Sequence, residues 1–197
     1  AVWPFVQSFW VQASAKTGNE AGVLHGIAAV WRAAMMYATN KENYVANDGN
    51  WRGTQVNSSN MLWSLSGSLS ITFRTLMGIN YDCPEAIRFA PVVPQSLKAD
   101  REIKGFPYRD ATLDIRVKGY GDVIRSFAID GELKDEAVFP ADMTGHHTVE
   151  IVLADRFAQQ MTTNVVGDVR APLTPFVRFS GGGSRLRWYM EEGVHHY

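Results

Sequence analysis

The chain has 197 residues, and its 20 acidic against 19 basic side chains leave a formal net charge of −1. That length suits one large domain or two small ones, and the balanced charge gives no global field to draw it to nucleic acid or to an anionic membrane. Its single cysteine, Cys83, excludes an intramolecular disulfide and a cysteine metal site, and no run of about 18 apolar residues offers a membrane span.

The first elements are helical. From Pro4 to Lys16, Phe5, Phe9, Trp10 and Ala13 recur at helical spacing, Pro4 suits a first turn, and "TGNE" ends the run. A second helix is expected from Glu20 to about Ala38, with Asn19 as N-cap and Glu20 near the positive end of the dipole. Its apolar positions Val23, Leu24, Ile27, Val30, Trp31 and Ala34 wrap most of the way round. The loop "TNKENYVANDGNWRGT" (39–54) follows, and Ser58 or Ser59 then caps a third helix, "NMLWSLSGSLSITFRTLMG", which Gly78 stops. Helices so poor in charge, with Ala, Gly and Ser where wet positions should fall, need neighbours on more than one side, as in a larger helical barrel or bundle.

Beyond Gly78–Pro84 the period changes to two. Leu113, Ile115 and Val117 alternate with Asp114, Arg116 and Lys118, and Val149, Ile151 and Leu153 alternate with Thr148 and Glu150. Asp130-Gly131 is a hairpin signal, and Gly119 with Gly121 marks another turn. Further strands are expected over 87–93, 124–129, 176–179 and 186–189. Short antiparallel strands with regular turns give a β-sandwich. The pattern therefore divides the chain into helices (1–78), a sandwich (79–160) and a linker with the start of a further β element (161–197), "TTNVVGDVRAPLT" being the linker. The fold class is α+β. The chain opens inside a helical pattern without an initiator Met, so both ends are expected to be cuts in a longer protein.

The loop at 39–54 carries the enzyme-like mixture of groups. Residues 1–78 hold three acids, Glu20, Glu42 and Asp48. Glu20 has a capping explanation, which leaves Glu42 and Asp48. Six Trp residues are a surplus, and such rings fill cores or stack on the apolar faces of sugars. Trp31 at helical spacing reads as core, Trp3 and Trp63 fit either role, and Tyr44 and Trp51 in a polar loop read as ligand-facing. Arg52 reads as a surface or salt-bridged residue. His25, among apolar neighbours, reads as a packing histidine. His146-His147 and His195-His196 are adjacent pairs whose members point to opposite faces of a strand, so neither makes a metal site. "SGGGS" (180–184) lacks the Lys and helix of a phosphate loop and reads as a turn. No cofactor and no metal are called for.

Several segments together resemble the six-hairpin, (α/α)6-barrel glycosidases, the group of trehalases and processing α-glucosidases. The matching positions are Trp3-Pro4, Glu42-Asn43-Tyr44 with Asn47-Asp48-Gly49, and Trp63. "AIRFAPVVPQSL", "FPYRDATLDIRVKGYG" and "FAIDGE" are similar to the β-sandwich that follows the barrel in these enzymes and in the related inverting disaccharide phosphorylases. The resemblance covers about residues 1–155. It implies the C-terminal part of a bacterial glycoside hydrolase: the last barrel helices, then the sandwich. In such enzymes two carboxyl groups flank the scissile bond, one protonating the leaving oxygen and the other activating water. The Glu of the Glu-x-Tyr loop is the base, which makes Glu42 the candidate here; its acid partner belongs to an earlier hairpin. Trp3, Tyr44, Trp51 and Trp63 are then the expected substrate-binding residues, and the partners are a carbohydrate and the remainder of the barrel. A periplasmic or extracellular site is expected from the resemblance. The rival reading is a non-catalytic carbohydrate-binding or structural module.

Overall fold

The computed structural model describes residues 1–46, 48–54, 57–162, 177–180, 182–183 and 185–188. The chain divides into two compact units, Ala1–Thr163 and Asn164–Tyr197. The first is α+β: three helices followed by β-rich structure. The switch from helix to strand at Gly78–Ile79 falls inside this unit.

Helix α1 (Pro4–Lys16) begins with Pro4 in its first turn, where its missing N–H costs nothing. Helix α2 (Glu20–Tyr37) is capped by Asn19, whose Oδ1 accepts from the Gly22 amide at 2.9 Å. The expected apolar face of α1 is not the face that packs. Its buried residues are Pro4, Ser8, Val11 and Ser14, while Val6, Phe9 and Trp10 are exposed. Small residues explain the reversal. A Cβ on Gly26 of α2 would lie 2.5 Å from Val11 Cγ2, so α1 and α2 approach too closely for any side chain there. With the backbones this close, little space remains between the helices for a ring, although Trp10 Cδ1 would lie 3.2 Å from that same Cβ. His25 is exposed as well, not packed, because the contact side of α2 runs through Gly22, Val23, Gly26, Ile27 and Val30. Trp31 is half-buried against the core.

Helix α3 (Leu62–Ser70) starts two to three residues later than Ser58 or Ser59 would set it. Met61 holds the N-cap position with no side-chain bond, because both serines are engaged in the preceding loop. α3 meets α1 where a Cβ on Gly67 would lie 3.1 Å from Ser8 Oγ. The helix then widens into a π-turn (Ile71–Leu76), with the Met77 amide bonding Thr72 O at 2.9 Å. Gly78, at φ +71, ends it.

The β-rich part holds β1 (Ile79–Cys83), β2 (Ala86–Phe89), β3 (Arg101–Tyr108), β4 (Ala111–Lys118), β5 (Ile124–Ile129), β6 (Glu132–Lys134), β7 (Val138–Pro140) and β8 (Gly145–Leu153). They form one sheet in the order β1-β2-β7 and another in the order β3-β4-β8-β5-β6. The expectation of purely antiparallel strands fails at one pair: β8 returns beside β4 in parallel, with Ile115 opposite Val149 and Val117 opposite Ile151. Period-two alternation fixes which face is buried, not strand direction. Rings join the sheets, Phe89 to Phe127 at 5.6 Å and Tyr108 to Phe139 at 6.2 Å between centroids. Leu113, Ile115 and Val117 are fully buried, each contributing about 1.5–3 kcal/mol. The Asp130-Gly131 turn joins β5 and β6 with both residues at positive φ, as a two-residue hairpin of this twist requires.

The helices and strands share one core, which runs from Val11 and Val23 through Ile71 to Ile115. Glu20 Oε1 accepts from the Gln95 amide at 2.6 Å, so the residue assigned to the helix dipole also pins α2 to the start of the β-rich region. The second unit contains a hairpin, β9 (Val177–Ser180) with β10 (Arg185–Trp188), and Gly182 and Gly183 lie at positive φ between them. Apart from Thr162, the expected linker lies outside the described residues, as do Phe176, Tyr189 and the His195-His196 pair.

Candidate functional site

The loop between α2 and α3 is closed by its own polar groups. Ala38 stands in the left-handed region at φ 51 and turns the chain out of α2. Glu42 and Ser58 then bracket the loop, the Glu42 amide donating to Ser58 O at 3.0 Å and the Ser58 amide to Glu42 Oε2 at 2.9 Å. Inside that bracket Asn57 Nδ2 donates to Asn43 O, Trp51 O and Thr54 Oγ1 at 2.7–3.1 Å. The Asp48 side chain accepts from the Asn50 amide, a local turn in an exposed position.

Glu42 itself is 9% exposed. One carboxylate oxygen is held by the Ser58 amide, and Oε1 has no hydrogen-bond partner among the described residues. A carboxylate so held is oriented yet keeps lone pairs for a water or a hydroxyl.

The proposed aromatic residues fall into separate groups. Tyr44 is 3% exposed and stacks on Tyr37 at 5.6 Å. Burial pushes its phenol above the usual tyrosine range, and Tyr37 adds to this. The ring supports the loop from beneath and presents almost no surface. Its backbone bridges Val2, with Val2 N to Tyr44 O at 2.7 Å and Tyr44 N to Val2 O at 2.9 Å. That bridge sets Trp3 beside the loop. Trp3 in turn meets Trp63 edge to face at 6.2 Å, and Phe5 lies flat on Trp63 at 5.2 Å. Trp63 remains 42% exposed. Trp51 forms the other group, half-buried, with Lys41 Nζ 4.0 Å from its ring centre and Arg52 Cζ at 5.3 Å. Arg52 is a surface residue, as expected, and makes no ion pair among the described residues.

Sequence reading missed Lys41 and Asn57 and assigned Ser58 to a helix cap. Lys41 is 7% exposed, with its ammonium donating to Ser59 Oγ at 2.8 Å and packed on Trp51. A buried cation on an aromatic face is worth more than an exposed one. Nothing in "NSSN" announces that Asn57 knits the loop, because its partners lie 3 to 14 residues back.

His146 and His147 point apart, as their adjacency requires. His146 faces Asp114 at 3.3 Å and is largely exposed, whereas His147 is mostly covered and sits 2.7 Å from Asp130. No group of three or more His, Cys, Asp or Glu able to hold a metal ion occurs among the described residues. None of the described helices is long and apolar enough to cross a membrane. Comparison with protein-family models and with curated proteins returns no match.

Proposed function

We propose that the chain is the C-terminal part of a bacterial glycoside hydrolase, with Glu42 as the general base of an inverting, two-carboxylate reaction on an oligo- or polysaccharide. The observation that carries this is the Glu42 carboxylate: nearly buried, fixed through Oε2 by a backbone amide, and with no partner at Oε1 among the described residues. A general base needs that combination of fixed orientation and one free lone pair within reach of water. Trp3, Trp51 and Trp63 supply ring faces for the sugar, and Tyr44 positions the loop by stacking on Tyr37. The exposed apolar side chains of α1 and α3 (Val6, Phe9, Trp10, Leu62, Leu65 and Leu69) support the barrel origin, since in such a barrel neighbouring helices would cover them.

The test is Glu42→Gln in the protein that carries this chain together with the remaining barrel hairpins. Glutamine keeps an oxygen for the Ser58 amide but cannot take a proton from water. Turnover of a cleaved glycan should fall by about 10²–10⁴, with binding and thermal stability retained. Unchanged turnover would remove Glu42 from the mechanism. The 197-residue chain alone should not hydrolyse p-nitrophenyl glycosides, and clear hydrolysis would refute the need for an acid from another hairpin.

One observation favours the rival reading of a non-catalytic carbohydrate-binding or structural module. The two-way Glu42–Ser58 tie is also what a purely structural loop clamp would need. In that case the same variant leaves any carbohydrate binding intact and there is no turnover to lose.

A further inference from the structure

A crevice of about 280 Å³ lies where the end of α1 and the π-turn meet β1 and the segment after β2. Four charged side chains line it: Lys16, Arg74, Asp82 and Asp122. No ion pair joins any of them to another group among the described residues. Asp122 uses one oxygen to accept the Ala158 amide at 2.7 Å, which fixes its orientation and leaves the other without a hydrogen-bond partner among the described residues. Gln12 and Asn80 add amides, and Pro91 and Val92 supply an apolar wall.

The walls are fixed to one another. The Val92 amide donates to Thr75 O at 2.8 Å and the Ala90 amide to Gly78 O at 2.9 Å. A Cβ on Gly78 would lie 2.1 Å from Pro91 N, so the π-turn and the β2 exit touch backbone to backbone. π-turns are rare and concentrate at functional sites. Here the turn places Thr75 in the lining, and its hydroxyl is buried without a hydrogen-bond partner among the described residues. Packing alone would favour Val at that position.

We propose that this crevice binds a neutral polyhydroxylated small molecule, one monosaccharide unit in size. Two cations and two carboxylates cancel, so an anionic or cationic ligand would meet as much repulsion as attraction. A hydroxyl donates and accepts at once, so a ring of hydroxyls can bridge Arg74 or Lys16 to Asp82 or Asp122. The apolar wall takes the ring's C–H face. The volume is at the small end of ligand pockets, about 300 Å³ upward, which limits the occupant to one ring. The site shares no residue with the Glu42 loop and stands or falls independently of the glycosidase reading.

The test is a titration of the 197-residue chain with D-glucose, D-galactose and D-mannose in turn, followed by backbone amide NMR. Concentrations should reach about 100 mM, well above the roughly millimolar affinity that a dozen ligand atoms support. At least one sugar should give saturable shifts at Lys16, Arg74, Asn80, Asp82 and Asp122. The Arg74→Ala/Asp82→Ala double variant, both positions being exposed, should weaken that binding at least about tenfold with the rest of the spectrum unchanged. Three outcomes overturn the proposal: no saturable shift at these residues, equal affinity in the variant, or saturation by glycine or acetate but by none of the sugars.

Discussion

The contact between His147 and Asp130 makes stability depend on pH in a stated direction. His147 Nδ1 is 2.7 Å from Asp130 Oδ2 and Nε2 is 3.0 Å from Thr144 O. Both neighbours are acceptors, so both ring nitrogens are satisfied only in the imidazolium. The hydrogen bond to Asp130 chiefly raises the His147 pKa above 6.5, with Thr144 O adding to it against a smaller desolvation effect. The reciprocal bond from His147 chiefly lowers the Asp130 pKa below 3.8, helped by the Thr148 amide. His146 also acts weakly on Asp130, and the Phe139 ring lies 5.4 Å from His147. A histidine whose folded pKa is raised contributes fully below its unfolded pKa and loses that contribution as pH rises through the folded value. A carboxylate whose folded pKa is lowered contributes above its unfolded pKa and loses it as pH falls. The pair is therefore strongest between about pH 4 and 6.5. Asp130 is 49% exposed and His147 15% in their side chains, so solvent screening discounts the pair to about 0.5–1 kcal/mol. Urea unfolding of wild type and His147→Gln at about pH 5.5 and pH 8.5 measures it. Wild type should exceed the variant by that amount at the lower pH and by little at the higher, and a gap equal at both values refutes the reasoning.

Two packing predictions follow from the helices. Gly26→Ala puts a methyl 2.5 Å from Val11 Cγ2 and should destabilise by about 1–3 kcal/mol despite alanine's better helix propensity; a urea midpoint at or above wild type contradicts it. Ser64 is fully buried in α3 with its hydroxyl unpartnered among the described residues, so Ser64→Ala should stabilise by about 0.5–1 kcal/mol, and a loss of stability would mean the hydroxyl has a partner after all.

Local signals placed the elements that end on distinctive chemistry. Pro4 and the Thr17-Gly18 exit bound α1, and Asn19 opens α2, because Pro4 has no N–H to satisfy in a first turn and Asn19 accepts the Gly22 amide. The start of α3 was misplaced for the same kind of reason. Ser58 and Ser59 are good caps by type, but Ser58 serves Glu42 and Ser59 serves Lys41, partners 16 and 18 residues away. Alternation found β4 and β8, whose buried residues are all aliphatic. It missed β3, where Gly105 at φ +66 sits in a register shift between Ile103 and Phe106 and breaks the period. β6 and β7 have three residues each, too few to show a period. In the candidate site, residue type pointed to Glu42 but gave no hint that its neighbour Tyr44 is buried, since a tyrosine in a polar loop carries no sign of the Tyr37 ring waiting beneath it.

The helices reverse the usual division of labour between small and large side chains. Ser8, Ser14, Gly22, Gly26 and Gly67 sit between helices, while Val6, Phe9, Trp10, Leu62, Leu65 and Leu69 face outward. The two facts are one. Where α1 meets its neighbours through glycine and serine, little room is left for large side chains, so several of those on α1 and α3 point outward. Val11 is nonetheless buried, Phe5 stacks on Trp63 and Trp10 reaches Gly26. A free-standing helical trio would gain about 1.5–3 kcal/mol for each large apolar side chain it fully buried, and this sequence forgoes part of that gain six times. A face of this kind marks a surface built to be covered. The loop with Glu42 lies beside the start of α1, held there by the Val2–Tyr44 bridge, and Trp3 in turn meets Trp63 of α3. On the proposed reading, packing the outward rings against neighbouring barrel helices fixes Trp3 and Trp63, and through them the position of the loop. The element that shapes the sugar site would then be the same one that completes the helical core.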